Sequence, residues 1–458
     1  MRAEDYIIVA LYLLAILVYG LYCAGELKNV KDFSVSTKRF GVFVVFATIS
    51  ASFIGGGFST GNASEVFKNG VGNILALCGF SLGQIAVGAF IAPRARVSGV
   101  SPGGIMRAAY GKGAQVLTGA CSSLLCAGVL GAQIAAIGAV FNTLLGVSYT
   151  LGALTGFLVM LGYSTFGGMR AVVIIDVVQF ILLITGMPVL LFFGVRAAGG
   201  TGELFASVPA SYFDVLRGTT LPGFLSLFFT FMIGEAMIPS FVQRMFIGKT
   251  QKTVAGATVL SGLVSIPFFV VTGMIGLCAF ALNPLTPPGM AMPSLVMSVL
   301  PSGVRGLVIA AVVSVVMSSA DSTLNSATIG LVNDILAPLS RGGLSGRRGL
   351  NAARACNVAT GLLGLSLALF IPDVLKALLL AYTFWAPVIL VGLVAAVLGK
   401  KASSRAFYAS AAAGGAGTLL WIFALGSPME INGTVIGFIL SLSVFLALKS
   451  RGSSRLSV

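Results

Sequence analysis

The stretch Ala51-Ser52-Phe53-Ile54-Gly55-Gly56-Gly57-Phe58-Ser59-Thr60-Gly61 lies inside a long apolar run, yet it does not read as ordinary helix. Three successive glycines would destabilise a helix by about 1 kcal/mol each. Two readings are open. Small residues allow neighbouring helices to approach closely, as in GxxxG contacts. Alternatively the helix is unwound here, freeing carbonyls before the break that suit a cation and amides after it that suit an anionic group. A second interruption, Gly234-Glu235 followed by Pro239, decides for the break. Paired interruptions at corresponding places in two repeats mark a binding site at the middle of a membrane.

Composition supplies the membrane. Of 458 residues, 57% are hydrophobic and 9% charged, with a mean hydropathy of +1.02, which no water-soluble surface matches. Lipid cannot satisfy exposed backbone groups, so spans are helices or closed barrels, and long unalternating apolar runs select helices. Runs of about 20 residues, enough to cross, fall near 5–24, 42–66, 71–93, 114–141, 148–164, 171–195, 221–242, 254–282, 304–331, 354–371, 375–398, 407–425 and 433–448. The chain thus reads as an all-α membrane protein of thirteen spans forming a single domain, 1–458. A leading helix (5–24) precedes a core (42–398) in which two five-helix repeats are inverted, and two trailing helices (407–448) follow. The gaps 197–219 and 333–353 read as ordinary loops.

Formal net charge is +15, but the basic residues sit in short clusters between spans, not in a stripe, which excludes nucleic-acid binding. With the amino end outside, 22 of the 28 Lys and Arg fall on the inner side, in clusters such as Lys28 to Arg39, Arg94 to Lys112, Arg244 to Lys252 and Arg341 to Arg354. The positive-inside rule therefore places the amino end outside and the carboxyl end in the cytoplasm of a plasma (inner) membrane, in accord with an odd span count. Glu4 and Asp5 make the leading end acidic, unlike a signal peptide. The six cysteines lack CxxC spacing and read as core fillers, and with no His the chain lacks the commonest general base, which argues against an enzyme.

Residues that are expensive in lipid carry the function. A carboxylate near the bilayer centre costs about 2.5–3.5 kcal/mol on insertion scales unless paired. Asp176, Glu235 and Asp321 stand out in this way, whereas Glu65 and Asp334 fall near span ends within reach of water. Asp176 reads either as polar glue between helices or as part of a site. In Val316-Met317-Ser318-Ser319-Ala320-Asp321-Ser322-Thr323-Leu324-Asn325, helical spacing puts Ser318, Asp321 and Ser322 on one face with Ser319 beside them. Hydroxyls with a carboxylate form an oxygen cage for a hard cation such as sodium. Glu235 reads as a partner for a substrate amine, or as a gating residue paired with an arginine.

Over about residues 5–450 these features resemble the sodium:solute symporter family. The resemblance rests on the Ala51 to Gly72 stretch, on Tyr163 to Val172 leading to Asp176 and Gln179, on Gln243-Arg244, and on Met317 to Asp334. It implies a sodium site formed by carbonyls of Ala51, Ile54 and Val315 with the hydroxyls of Ser318 and Ser319. Asp176, with Ser318, Asp321 and Ser322, matches the second cation site of some members. Asp321 replaces a hydroxyl common there, so sodium, a proton or a structural carboxylate pair all fit. Gly-Gly-Gly-Phe and Met-Ser-Ser-Ala-Asp-Ser are nearest the choline-transporter branch, which cages a quaternary ammonium in aromatic rings. Here Phe53 and Phe58 remain, but Ile238 and Val129 stand where rings are expected, and only Trp385 and Trp421 are available. The substrate-binding set implied is Phe53, Gly56, Gly57, Phe58, Glu235 and Ile238.

The expectation is a sodium-coupled symporter importing a small polar organic solute by alternating access, with Na+ as coupling ion and the lipid bilayer as its setting. A proton-coupled symporter on the same fold is the mechanistic rival. A membrane sensor on the transporter scaffold is the other, disfavoured because the sequence ends shortly after the last expected span.

Overall fold

The computed structural model describes the chain except residues 1, 25–26, 28, 35–38, 96–100, 341–343, 345, 371–381, 384, 401 and 449–458. The described residues are helical throughout, apart from loops and one isolated bridge between Phe40 and Gly248. In chain order the long helices are α1 (Ala3–Cys23), α2 (Val42–Phe53), α3 (Gly57–Asn69), α4 (Gly72–Arg94), α5 (Lys112–Leu145), α6 (Tyr149–Ala197), α7 (Leu221–Gly234) and α8 (Pro239–Met245). They continue as α9 (Gln251–Leu282), α10 (Val304–Leu339), α11 (Gly346–Phe370), α12 (Ala386–Val397), α13 (Ser404–Ala424) and α14 (Gly433–Leu448). Among the described residues, eight helices are long and apolar enough to cross a membrane, or ten when each of two bent pairs counts as one span. The chain is a multi-pass helical membrane protein.

The bent pairs lie where the glycine and proline interruptions predict them. α2 and α3 meet at 64°, α7 and α8 at 41°. α6 differs from its prediction as two spans. It is one helical run of 49 residues, which if straight would extend about 74 Å against a hydrocarbon layer of about 30 Å. It is broken at Gly168, whose φ of 59° and ψ of −163° lie outside helical space. The start of the predicted span 375–398 lies outside the described residues, and its later part is α12. The gap at 197–219 contains a short helix, Thr201–Ser207, and that at 333–353 begins as the tail of α10.

That longer α10 changes the reading of Asp334. The residue is fully buried and out of reach of water, its carboxylate accepting bonds from Ser101 Oγ at 2.5 Å and the Gly103 amide at 3.2 Å, at the start of the helix Pro102–Tyr110. Glu65 is half-buried and accepts a bond from Asn69 Nδ2 at 3.0 Å.

Helix α10 is the axis of the molecule. Of its most apolar window 94% is buried, against 22% for α1 and 33% for α13, and it packs on α5, α6 and α1. Its many polar residues therefore face protein, not lipid. α1 instead shows an outward stripe of Ile7, Leu11, Leu14 and Val18 at helical spacing, as a lipid-facing helix should.

Candidate functional site

The first break begins at Ile54, which leaves helical space at φ −77°, ψ 77° while its amide still donates to Ser50 O at 3.0 Å. The polar residues that follow satisfy the freed backbone. Ser59 Oγ donates to Gly55 O at 2.9 Å, Thr60 Oγ1 donates to Gly56 O at 2.8 Å, and the Gly56 amide donates to Gln133 Oε1 at 3.0 Å. The glycines also serve close packing, so both readings of the stretch hold together. A Cβ on Gly55 would stand 2.6 Å from Ser319 Oγ, and one on Gly56 would stand 2.9 Å from the Ala136 Cβ.

Across the break lies α10. Ser318 Oγ donates to Ala51 O at 2.7 Å and lies 3.1 Å from Val315 O, while Ser319 Oγ donates to Ser52 O at 2.8 Å. Ala51, Val315, Ser318 and Ser319 are thus drawn together at the carboxyl end of α2, and Ile54 lies at the exit of that helix. All five are buried. Carbonyl and hydroxyl oxygens are concentrated at a helix end that carries partial negative charge.

One turn along α10 a second polar cluster is wholly sealed from solvent. Arg244 Nη2 donates to Asp176 Oδ2 at 2.9 Å and to Ser322 Oγ at 2.5 Å. Its Nε reaches Thr48 O at 3.1 Å and Thr48 Oγ1 at 3.0 Å, and its Nη1 donates to Ser240 O at 2.9 Å. Thr48 Oγ1 also donates to Asp176. Asp321 accepts from Tyr163 OH at 2.7 Å and from Ser322 Oγ at 3.1 Å. Asp176, Asp321 and Ser322 are therefore brought together, but around the guanidinium of Arg244. The sequence reading placed Arg244 in an inner-loop basic cluster, whereas α8 carries it into the bundle with no solvent exposure. Buried paired charges of this kind depend on further hydrogen bonds to hold them, and each nitrogen of the Arg244 guanidinium has a partner.

The second break holds Glu235, Ala236 and Met237, whose φ of 55° is a left-handed conformation rare for methionine. Glu235 is 5% exposed, and its Oε2 has no hydrogen-bond partner among the described residues. The arginine partner considered for it is not Arg244, which is engaged with Asp176. Trp385 Nε1 donates to Ala236 O at 3.4 Å, and Gly234 lies against the ring of Tyr382.

Phe53 and Phe58 are buried in an aromatic cluster that joins the two breaks. Phe53 packs on Phe80 and Phe241 at centroid distances of 5.3 and 6.1 Å. Phe58 packs on Phe80, Phe231 and Phe269 at 5.2, 5.5 and 5.6 Å. Ile238 and Val129 are buried, and the rings come from residues the sequence did not single out. Gln133 and Tyr163 were also missed. Their only signal was polarity within an apolar run.

Residues 33–414 match the sodium:solute symporter family. The high-affinity proline transporter PutP of Bacillus subtilis (strain 168) is 24% identical over 373 residues, 77% of this chain and 78% of PutP. The high affinity choline transporter 1 of Homo sapiens is 26% identical over 360 residues, 71% of this chain and 61% of that protein. A solved Na+-coupled sialic acid symporter, substrate-bound and outward-open, superposes with a TM-score of 0.81 at 18% identity over 97% of each chain, which shows a common fold. These relatives are transporters and not enzymes. A helical multi-pass chain, twice broken and matched along most of its length, belongs to the sodium:solute symporter family.

Proposed function

We propose that this chain couples sodium entry to uptake of a small polar organic solute, an amino acid, amine or other small metabolite, by alternating access. One observation carries the reading: Ser318 and Ser319 on α10 point their hydroxyls at the carbonyls of Ala51 and Ser52, at the end of a ruptured helix. A sodium ion held there by carbonyls of Ala51, Ile54 and Val315 and by the two hydroxyls would bridge α2 and α10. The Ser318 hydroxyl already has the Val315 carbonyl within reach, so its hydrogen can turn aside and present a lone pair. Sodium binding would favour one state of the bundle, and solute would dock beside it near Phe53, Gly56, Gly57, Phe58, Glu235 and Ile238. One charge falling through 100 mV yields about 2.3 kcal/mol, so one or two ions suffice to concentrate a solute.

The same proposal takes the chain as one domain of thirteen spans: α6 counts as two about Gly168, and α12 and α14 are counted as spans. The amino end lies outside, the carboxyl end lies in the cytoplasm, and the membrane is the plasma membrane. Relatives named as carriers of proline, choline and sialic acid fit a small polar solute.

Thermal-shift screening of amino acids, amines, sugars and carboxylates, with and without sodium, identifies the solute. Its uptake into proteoliposomes is then driven by sodium or pH gradients imposed separately. Sodium-driven accumulation is expected, and Ser318→Ala with Ser319→Ala should abolish it. Accumulation that survives both substitutions overturns the sodium site.

A specific observation favours a second positive charge, a proton or another sodium, as co-driver. The sealed cluster holds two carboxylates, Asp176 and Asp321, against one guanidinium. The surplus negative charge requires a counterpart in a low-dielectric interior, which a proton or second sodium supplies. Uptake driven by a pH gradient alone would select the proton.

A further inference from the structure

We propose that Glu235 is the ammonium-binding subsite of the solute site, and that the solute carries a protonated primary or secondary amine. The proposal rests on the symporter reading and narrows its substrate class.

Glu235 is sealed from solvent, with one carboxylate oxygen that no described residue satisfies. A buried carboxylate in that condition awaits a donor. The nearest basic residue in sequence, Arg244, is engaged by Asp176, Ser322, Thr48 and Ser240 and does not pair with Glu235. The position itself favours positive charge. Glu235 caps the carboxyl end of α7, where orphaned carbonyls and the helix dipole add negative potential to that of the carboxylate. The break exists at some conformational cost, because Met237 holds a positive φ, and such strain is retained where it aims groups at a ligand.

The surroundings fit an ammonium group rather than a metal ion. Phe231 lies one helical turn before Glu235 and packs on Phe58 at 5.5 Å, which brings aromatic rings to this end of α7. Tyr382, whose ring lies against Gly234, is fully buried with a hydroxyl that has no partner among the described residues. A carboxylate oxygen and a phenol left open at one helix break are matched by a group with several N–H donors. A quaternary ammonium has none, and it would leave the carboxylate oxygen without a hydrogen bond.

The test uses the purified full chain at fixed sodium concentration, followed by thermal shift. The probes are the common amino acids and small amines such as ethanolamine, together with N-trimethylated and amine-free counterparts such as choline and ethylene glycol. Amines bearing N–H are expected to stabilise, and their counterparts are not. Glu235→Gln should raise the half-saturating amine concentration at least tenfold, with partial recovery in Glu235→Asp. The shift caused by sodium alone reports folding of each variant. Equal amine response in Glu235→Gln, stabilisation only by quaternary or amine-free solutes, or no response to any amine overturns the subsite. Sodium-dependent uptake of an amine-free solute would do so while leaving symport intact. Amine binding lost in Glu235→Gln but indifferent to sodium would keep the subsite and remove the symport reading.

Discussion

Arg244 uses its guanidinium on Asp176, Ser322, Thr48 and Ser240 with no solvent contact. Removing one partner of a buried ion pair strands the other and costs about 3–5 kcal/mol. Arg244→Ala or Asp176→Asn should therefore lower the melting temperature of the purified protein. Arg244→Lys should not restore it, since an ammonium cannot reproduce the planar fork. A variant melting like the wild type would contradict this account. At this scale the sequence announced the carboxylates and the α10 serines, because they are expensive in lipid and therefore conspicuous. The resemblance drew attention to Gln243-Arg244, but Arg244 follows Pro239 and precedes Lys249 and Lys252 and so was placed at the basic edge of a span. Only the position of its acidic partner on α6 reveals that it is inside. Tyr163 and Thr48 showed no more than polarity within an apolar run, because their roles depend on partners far away in the chain.

Among the elements, the broken helices were the most legible, since glycine runs and a proline disrupt helix by local chemistry that tertiary packing need not supply. Helix ends were less so. α10 runs on to Leu339 and buries Asp334, a result of its contact with the helix Pro102–Tyr110 that no local pattern encodes. The turn between the two halves of α6 was anticipated only as the gap between the apolar runs 148–164 and 171–195. Its conformation at Gly168 is one that other residues scarcely enter. Gly168→Ala is expected to destabilise by about 1–3 kcal/mol, measured by thermal or denaturant unfolding. Its Cβ would also come within 3.2 Å of Leu27. An unchanged stability would mean that the kink relaxes freely.

For the whole molecule, the loop before α2 and the loop after α8 are joined directly. The Phe40 amide donates to Ile247 O at 2.9 Å, the Lys249 amide donates to Phe40 O at 3.0 Å, and Arg39 donates to Phe246 O. On the proposed orientation this clasp ties together the cytoplasmic ends of the two broken spans. Phe40→Cys with Gly248→Cys, crosslinked, should stop sodium-driven uptake, and a reducing agent should restore it. Crosslinked protein that still transports would show that the mouth opens elsewhere. The two Phe40 bonds are made by main-chain atoms alone, so side-chain replacement around them leaves the bolt in place. A lineage could exchange the solute its carrier accepts, residue by residue at the midpoint, without retuning the door that seals the cell.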